Sequence, residues 1–195
     1  MTKARRPSFR RNPGVLFGGV LVLVFVAALA AFSLGRNSAT SGSSPDGSSQ
    51  GAPAVGKRFP DFSLTEADGR RLTVSSLEGK PSIVWFTTSY CVPCQVGARE
   101  VARLDDELGG DAFNVLVVFV DPQEPASALR GWRERFANED WLVALDEDVA
   151  LANAVRLQVL DTKFLLDKDG TVRNIDYAVA GNDYVELIRK EVGAS

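Results

Sequence analysis

The sequence predicts an α/β domain in which helices cover both faces of a mixed central sheet. Three observations carry that expectation. Short apolar runs rich in β-branched residues alternate with stretches of helical period between Ser82 and Val155. A hairpin pattern and one amphipathic helix then close the chain. The only two cysteines, Cys91 and Cys94, stand where a strand-like run gives way to a helical one. Alternating strands and helices pack as layers, and a terminal hairpin adds antiparallel strands to them.

Taken in order, Phe59–Leu64 and Arg71–Val74 read as a hairpin turned by Asp68-Gly69. Ser82–Thr88 is apolar enough to be a buried strand, and a helix follows from about Val92 to Leu108. A second buried strand spans Asn114–Val120, with a helix from about Pro125 to Ala137. In that helix Trp132 and Phe136, four apart, belong to the core, as do Trp85, Phe86 and Phe119. A short strand, Trp141–Leu145, precedes a helical stretch, Asp148–Val155. Asp146-Glu147-Asp148 reads as a turn and helix cap rather than a cation site. Lys163–Leu166 and Thr171–Tyr177 form a hairpin about Asp167-Lys168-Asp169-Gly170. The closing helix, about Asp183–Val192, places Tyr184, Leu187, Ile188 and Val192 on one face. The acids of Asp105–Glu107 and of Glu139-Asp140 read as solvated faces.

The domain has an N-terminal approach of its own. Residues 1–13 carry five basic residues and no acid. Val15 to Leu34 is an uncharged run of 20 residues, long enough at about 1.5 Å per residue to cross a bilayer's hydrocarbon core. We read 1–13 as a cytoplasmic basic segment and 14–35 as a transmembrane signal-anchor, with the rest of the chain outside the membrane. The rival reading is a cleaved signal peptide, with Ala28-Leu29-Ala30 at the cleavage point. Residues 36–54, rich in Ser and Gly, form a flexible linker. Residues 55–195 are then one domain by length.

Composition excludes several functions. Residues 55–195 hold 16 basic and 24 acidic residues, a net charge of −8. An acidic body argues against nucleic acid as a partner. The chain has no histidine, which excludes Ser-His-Asp and Cys-His catalysis and every histidine metal site. No cofactor is expected.

Cys91-Val92-Pro93-Cys94 carries the chemistry. At a helix N-terminus the dipole and free N–H groups favour a thiolate on the first cysteine. Pro93 is tolerated in the first turn. Cys91 is expected to be partly exposed, and Cys94, one turn in, more buried. The alternatives are weaker. A structural disulfide gains little from closing so short a loop. Structural zinc needs four ligands, and no second CxxC exists.

Residues 56–195 resemble the membrane-anchored thioredoxin-like thiol-disulfide oxidoreductases of the TlpA/ResA/CcmG kind. The resemblance runs through Phe59-Pro60-Asp61-Phe62-Ser63-Leu64, Leu77-Glu78-Gly79-Lys80-Pro81, Val84-Trp85-Phe86-Thr87-Thr88-Ser89-Tyr90-Cys91-Val92-Pro93-Cys94 and Phe164-Leu165-Leu166-Asp167-Lys168-Asp169-Gly170. It implies a thioredoxin-like fold with an N-terminal β-hairpin and a central insertion. It further implies exchange with a disulfide-containing protein substrate outside the membrane, a membrane thiol donor, and cytochrome c maturation as a common task. By the same resemblance Cys91 attacks and Cys94 resolves, and Tyr90, Pro93, Leu160 and Asp161 are neighbours of the site. Tyr90 stands where the family usually has tryptophan.

Three departures from that family matter. Asp161 takes the place of its cis-proline, so the loop facing the cysteines is either trans and reshaped or strained. Trp85 replaces the buried acid six residues before the first cysteine. Gly97 replaces the acid that some relatives carry three residues after the second. Asp161 is therefore a candidate to take over acid-base work, against the alternative of a solvated loop residue. Four functions compete: oxidoreductase, peroxiredoxin-like peroxidase, copper chaperone of the Sco kind, and redox-inactive binding module. Val84 stands where the peroxidase pattern needs proline, and the Sco pattern needs a wider cysteine spacing and a histidine.

Overall fold

The computed structural model describes residues 52–66 and 68–193. Residues 1–13, the apolar span 14–35 and most of the linker 36–54 lie outside the described residues. Among those described, no helix is long and apolar enough to cross a membrane.

Leu64 and Leu72 face each other across the first hairpin, β1 (Ser63–Glu66) with β2 (Arg71–Thr73). The first strand begins four residues later than the apolar pattern suggests. Phe59 is buried, but its backbone N–H is taken by Gly170 O at 2.9 Å, at the far end of the sheet. The segment before Ser63 therefore crosses the sheet instead of pairing with β2. A 3₁₀ turn, Val74–Leu77, leads into β3 (Ser82–Thr87), every residue of which is buried.

α1 (Val92–Glu107) follows, then β4 (Asn114–Phe119), α2 (Ala126–Phe136), β5 (Leu142–Leu145) and α3 (Ala150–Ala154). β6 (Lys163–Leu166), β7 (Val172–Asp176) and α4 (Asn182–Val192) complete the domain. The sheet order is β2-β1-β5-β4-β3-β6-β7. β3, β4 and β5 run parallel, and β6, β7 and the first hairpin add antiparallel partners, so the sheet is mixed as expected.

Strand side chains alternate between faces, and the two faces are covered differently. Ile83, Trp85, Val117 and Phe119 pack with α1, α2 and α4. Val84, Phe86, Leu116 and Val118 pack with the N-terminal segment, Leu77 and the short α3. Helices on both faces is thus only half of the picture, because the chain before β3 covers much of the second face. Trp132 and Phe136 are core residues, their ring centroids 5.5 Å apart.

α1 buries Cys94, Ala98, Val101, Leu104 and Asp105, a stripe at helical spacing. Asp105 is consequently not on a solvated face. Its Oδ2 accepts from Trp141 Nε1 and Asn138 Nδ2, each at 2.9 Å, and burial pushes its carboxyl above the usual range. In α4 Tyr184 and Ile188 are buried, but Leu187 is 37% exposed, one position round from the inner stripe. Asp146 caps as expected, its carboxylate accepting from the Leu151 and Ala152 N–H groups at 3.2 and 2.8 Å.

Candidate active site

β3 delivers the chain to the sheet's edge of helices, and Thr88–Tyr90 turn it into α1. Cys91 is the residue that caps the helix. Its N–H bonds to Thr88 O at 3.1 Å, and its carbonyl accepts from Gln95 N–H at 3.1 Å. Cys91 and Cys94 are joined as a disulfide with Cα atoms 5.3 Å apart. Cys91 is buried, at 9% exposure, rather than partly exposed as expected, and Cys94 is at 0%; only the order of burial is the one the sequence predicts. The Cys94 N–H points at Cys91 Sγ, 3.4 Å away. A free helix N–H aimed at sulfur is the arrangement that favours a thiolate there.

The loop before the disulfide is held from the neighbouring strand's exit. Ser89 N–H is shared by both oxygens of the buried Glu124 carboxylate, at 3.0 Å each. Gln95 Nε2 donates to Ser89 O at 2.8 Å. Tyr90, 63% exposed, donates to Asp121 Oδ2 at 3.0 Å, and that carboxylate holds its hydroxyl above the usual range. Val92 and Pro93 lie exposed beside the sulfurs. Leu160 packs against the apolar cluster that contains both cysteines.

Asp161 is buried, which overturns the reading of it as a solvated loop residue. Among the described residues no peptide bond is cis, and Asp161 instead takes a left-handed backbone with φ +69°. Aspartate tolerates that region better than most side chains. The loop is therefore trans and reshaped. Two bonds fix it to β3: Asp161 N–H to Phe86 O at 3.3 Å and Phe86 N–H to Thr162 O at 2.9 Å. Asp161 Oδ1 accepts from Trp85 Nε1 at 2.8 Å. The two unusual residues thus partner each other. Burial raises the Asp161 carboxyl above its ordinary range, against the opposing pull of Lys163.

Three residues gain their roles only from the structure: sequence reasoning missed Lys163 and Glu124, and it marked Gly97 only as a missing acid. Lys163 is fully buried, its ammonium 3.1 Å from Asp161 Oδ1 and 3.1 Å from Asp176 Oδ1. It also donates to the carbonyls of Asp161 and Ala178. Strand pairing places it directly beside Trp85 on one side and Asp176 on the other. Only that register reveals the cluster. Gly97 is the second: a Cβ there would stand 3.0 Å from Ala180 N and 3.2 Å from the Trp85 ring. The absent side chain makes room for the indole. Glu124 is the third, and nothing in its local sequence marks it as the anchor of Ser89.

A disulfide capping the helix that follows a central strand, in a mixed sheet with this order, defines a thioredoxin-fold thiol-disulfide oxidoreductase. The Redoxin family profile matches residues 54–187, and the chain belongs to that family. The thiol-disulfide oxidoreductase ResA of Geobacillus kaustophilus is 31% identical over 124 residues, covering 64% of this chain and 70% of its own. The thiol:disulfide interchange protein DsbE of Pseudomonas aeruginosa is 28% identical over 122 residues, covering 62% and 64%. Among solved structures, the thioredoxin domain of a Bacteroides vulgatus thiol-disulfide oxidoreductase superposes with a TM-score of 0.60 at 16% identity, covering 72% of this chain and 99% of that one. The ResA and DsbE relatives select the oxidoreductase among the four competing functions.

Proposed function

We propose that this oxidoreductase reduces disulfides of protein substrates outside the cytoplasmic membrane, with Cys91 attacking and Cys94 resolving. The observation that carries the assignment is the asymmetry of the pair. Cys91 retains some exposure and has a helix N–H aimed at its sulfur, whereas Cys94 is sealed in the core. In the reduced protein the Cys91 thiolate attacks one sulfur of the substrate disulfide. That S–S bond breaks, its electron pair leaves on the second substrate sulfur, and a mixed disulfide forms. Cys94 then loses its proton and attacks Cys91 Sγ, so the Cys91–Cys94 bond reforms and the substrate leaves with two thiols. Electrons return from a membrane thiol donor. The exposed Tyr90 and Val92 beside the sulfurs offer an apolar rim for a polypeptide.

The external location rests on the sequence: five basic residues followed by an apolar run of 20. Cytochrome c maturation is the task we assign by family likeness. The test is a redox titration of the full chain, with Cys94→Ser used to trap partners. A reversible two-electron couple near that of thioredoxin, about −270 mV, supports a reductase, and one near −120 mV an oxidant. The Cys94→Ser protein should accumulate a mixed disulfide and Cys91→Ser none. No reversible couple would overturn the exchange mechanism.

A further inference from the structure

The geometry points to Asp161 as the group that holds a proton for the reduced Cys91–Cys94 pair, with Lys163 as the residue that positions it. The inference rests on the exchange reading above and adds a proton to it.

The cluster is joined to the helix that bears Cys94 through Trp85. Trp85 belongs to the same apolar cluster as both cysteines, and Gly97, one turn beyond Cys94, lets helix α1 close on its ring. The other end of the same indole donates to Asp161 Oδ1. One side chain thus spans from the helix that bears Cys94 to the carboxyl. Asp161 Oδ2 is buried and has no hydrogen-bond partner among the described residues. A buried carboxylate with a bare oxygen is poised to accept a proton, since its neutral form needs one fewer acceptor satisfied.

The groups facing it set the balance. Lys163 on β6 opposes its negative charge, and Asp176 on β7 competes for the same ammonium. Tyr184 on α4 brings a hydroxyl that is itself buried without a partner among the described residues, and its ring lies 5.3 Å from Lys163 Nζ. Cys91, which caps α1, and Cys94, within it, are uncharged while joined. Reduction changes that. A thiolate created in this apolar surround, though favoured by the Cys94 N–H, adds a negative charge near a cluster whose ammonium two carboxylates already share. Like charge in a low dielectric drives the more buried carboxylate to protonate.

The bookkeeping closes with a dithiol donor. Its two sulfurs become a disulfide and release two electrons and two protons, and the Cys91–Cys94 bond breaks. One proton ends on Cys94. The other, released to solvent in the absence of the cluster, ends on the Asp161 carboxylate while Cys91 remains a thiolate. Oxidation runs the same steps backwards.

The experiment is the equilibrium constant of the full chain against a dithiol reference, measured from pH 5 to 9. Over the interval between the oxidised-state and reduced-state ionisations of Asp161, one extra proton per two electrons changes that constant by an additional tenfold per pH unit. Asp161→Asn should abolish this segment. Lys163→Met should move it to higher pH, because the carboxylate loses its counter-ion. The same pH dependence in wild type and Asp161→Asn would overturn the inference while leaving a reversible couple, and so the exchange reading, intact. Should either variant fail to fold, the infrared difference spectrum of wild type labelled with ¹³C at aspartate carboxyls decides. A protonated-carboxyl band appearing on reduction supports the inference, and its absence overturns it.

Discussion

Gly97 shows how one missing side chain determines a neighbourhood. Added as alanine, its Cβ would meet Ala180 N at 3.0 Å, Ala180 Cβ at 3.1 Å and the Trp85 ring at 3.2 Å. The indole cannot retreat, because its N–H is held by Asp161. Overpacking costs about 1–3 kcal/mol and the better helix propensity of alanine returns at most about 1. We expect Gly97→Ala to lose about 1–2 kcal/mol in urea unfolding. An unchanged midpoint would show that α1 and the Ala180 loop can separate freely. Trp85→Phe tests the other end. It removes one of the two donors to the buried Asp161 Oδ1 and leaves Lys163 as the other, a loss of about 1–3 kcal/mol. That loss should be larger at neutral pH than in acid, where the carboxyl is protonated. A pH-independent loss would assign the effect to packing alone.

At the scale of elements, caps and inner stripes decide stability. Asp146 satisfies two N–H groups of α3, and this helix is too short to persist unaided. Asp146→Ala should cost about 1–2 kcal/mol and leave the redox equilibrium untouched, because α3 lies on the sheet face away from the cysteines. A changed equilibrium would mean that the two faces are coupled. Asp105, on the inner stripe of α1, carries a carboxyl raised by burial. Its neutral form favours folding. That contribution is complete below the unfolded value of about 3.9 and fades as pH rises through the higher folded value. Asp105→Asn keeps an acceptor for Trp141 and does not ionise. The variant should therefore gain on wild type as pH is raised from 4 to 8, read from urea unfolding at each pH. A constant difference across that range would show that Asp105 does not titrate in it.

For the whole molecule, the disulfide is a functional bond more than a structural brace. It closes a loop so short that chain entropy yields at most about 2 kcal/mol. Oxidised and reduced protein should differ by no more than that in urea unfolding, and a larger gap would mean that reduction loosens the domain itself. The order of strands and helices, the CxxC at a helix start, the relative burial of its two cysteines and the family were legible from the residues, because each is a local pattern or a run of blocks in sequence. The three departures at positions 85, 97 and 161 were legible too, but only as separate absences. Strand pairing made them one arrangement, by setting Lys163 between Trp85 and Asp176 and folding the Asp161 loop back on Phe86. Asp105 likewise passed for a surface acid until the inner stripe of α1 was fixed against Trp141. The sequence by itself determined which segments are apolar and where the reactive pair begins its helix, since period and spacing act within one element. Only the tertiary structure decided which buried charges meet, since that depends on register between strands far apart in the chain.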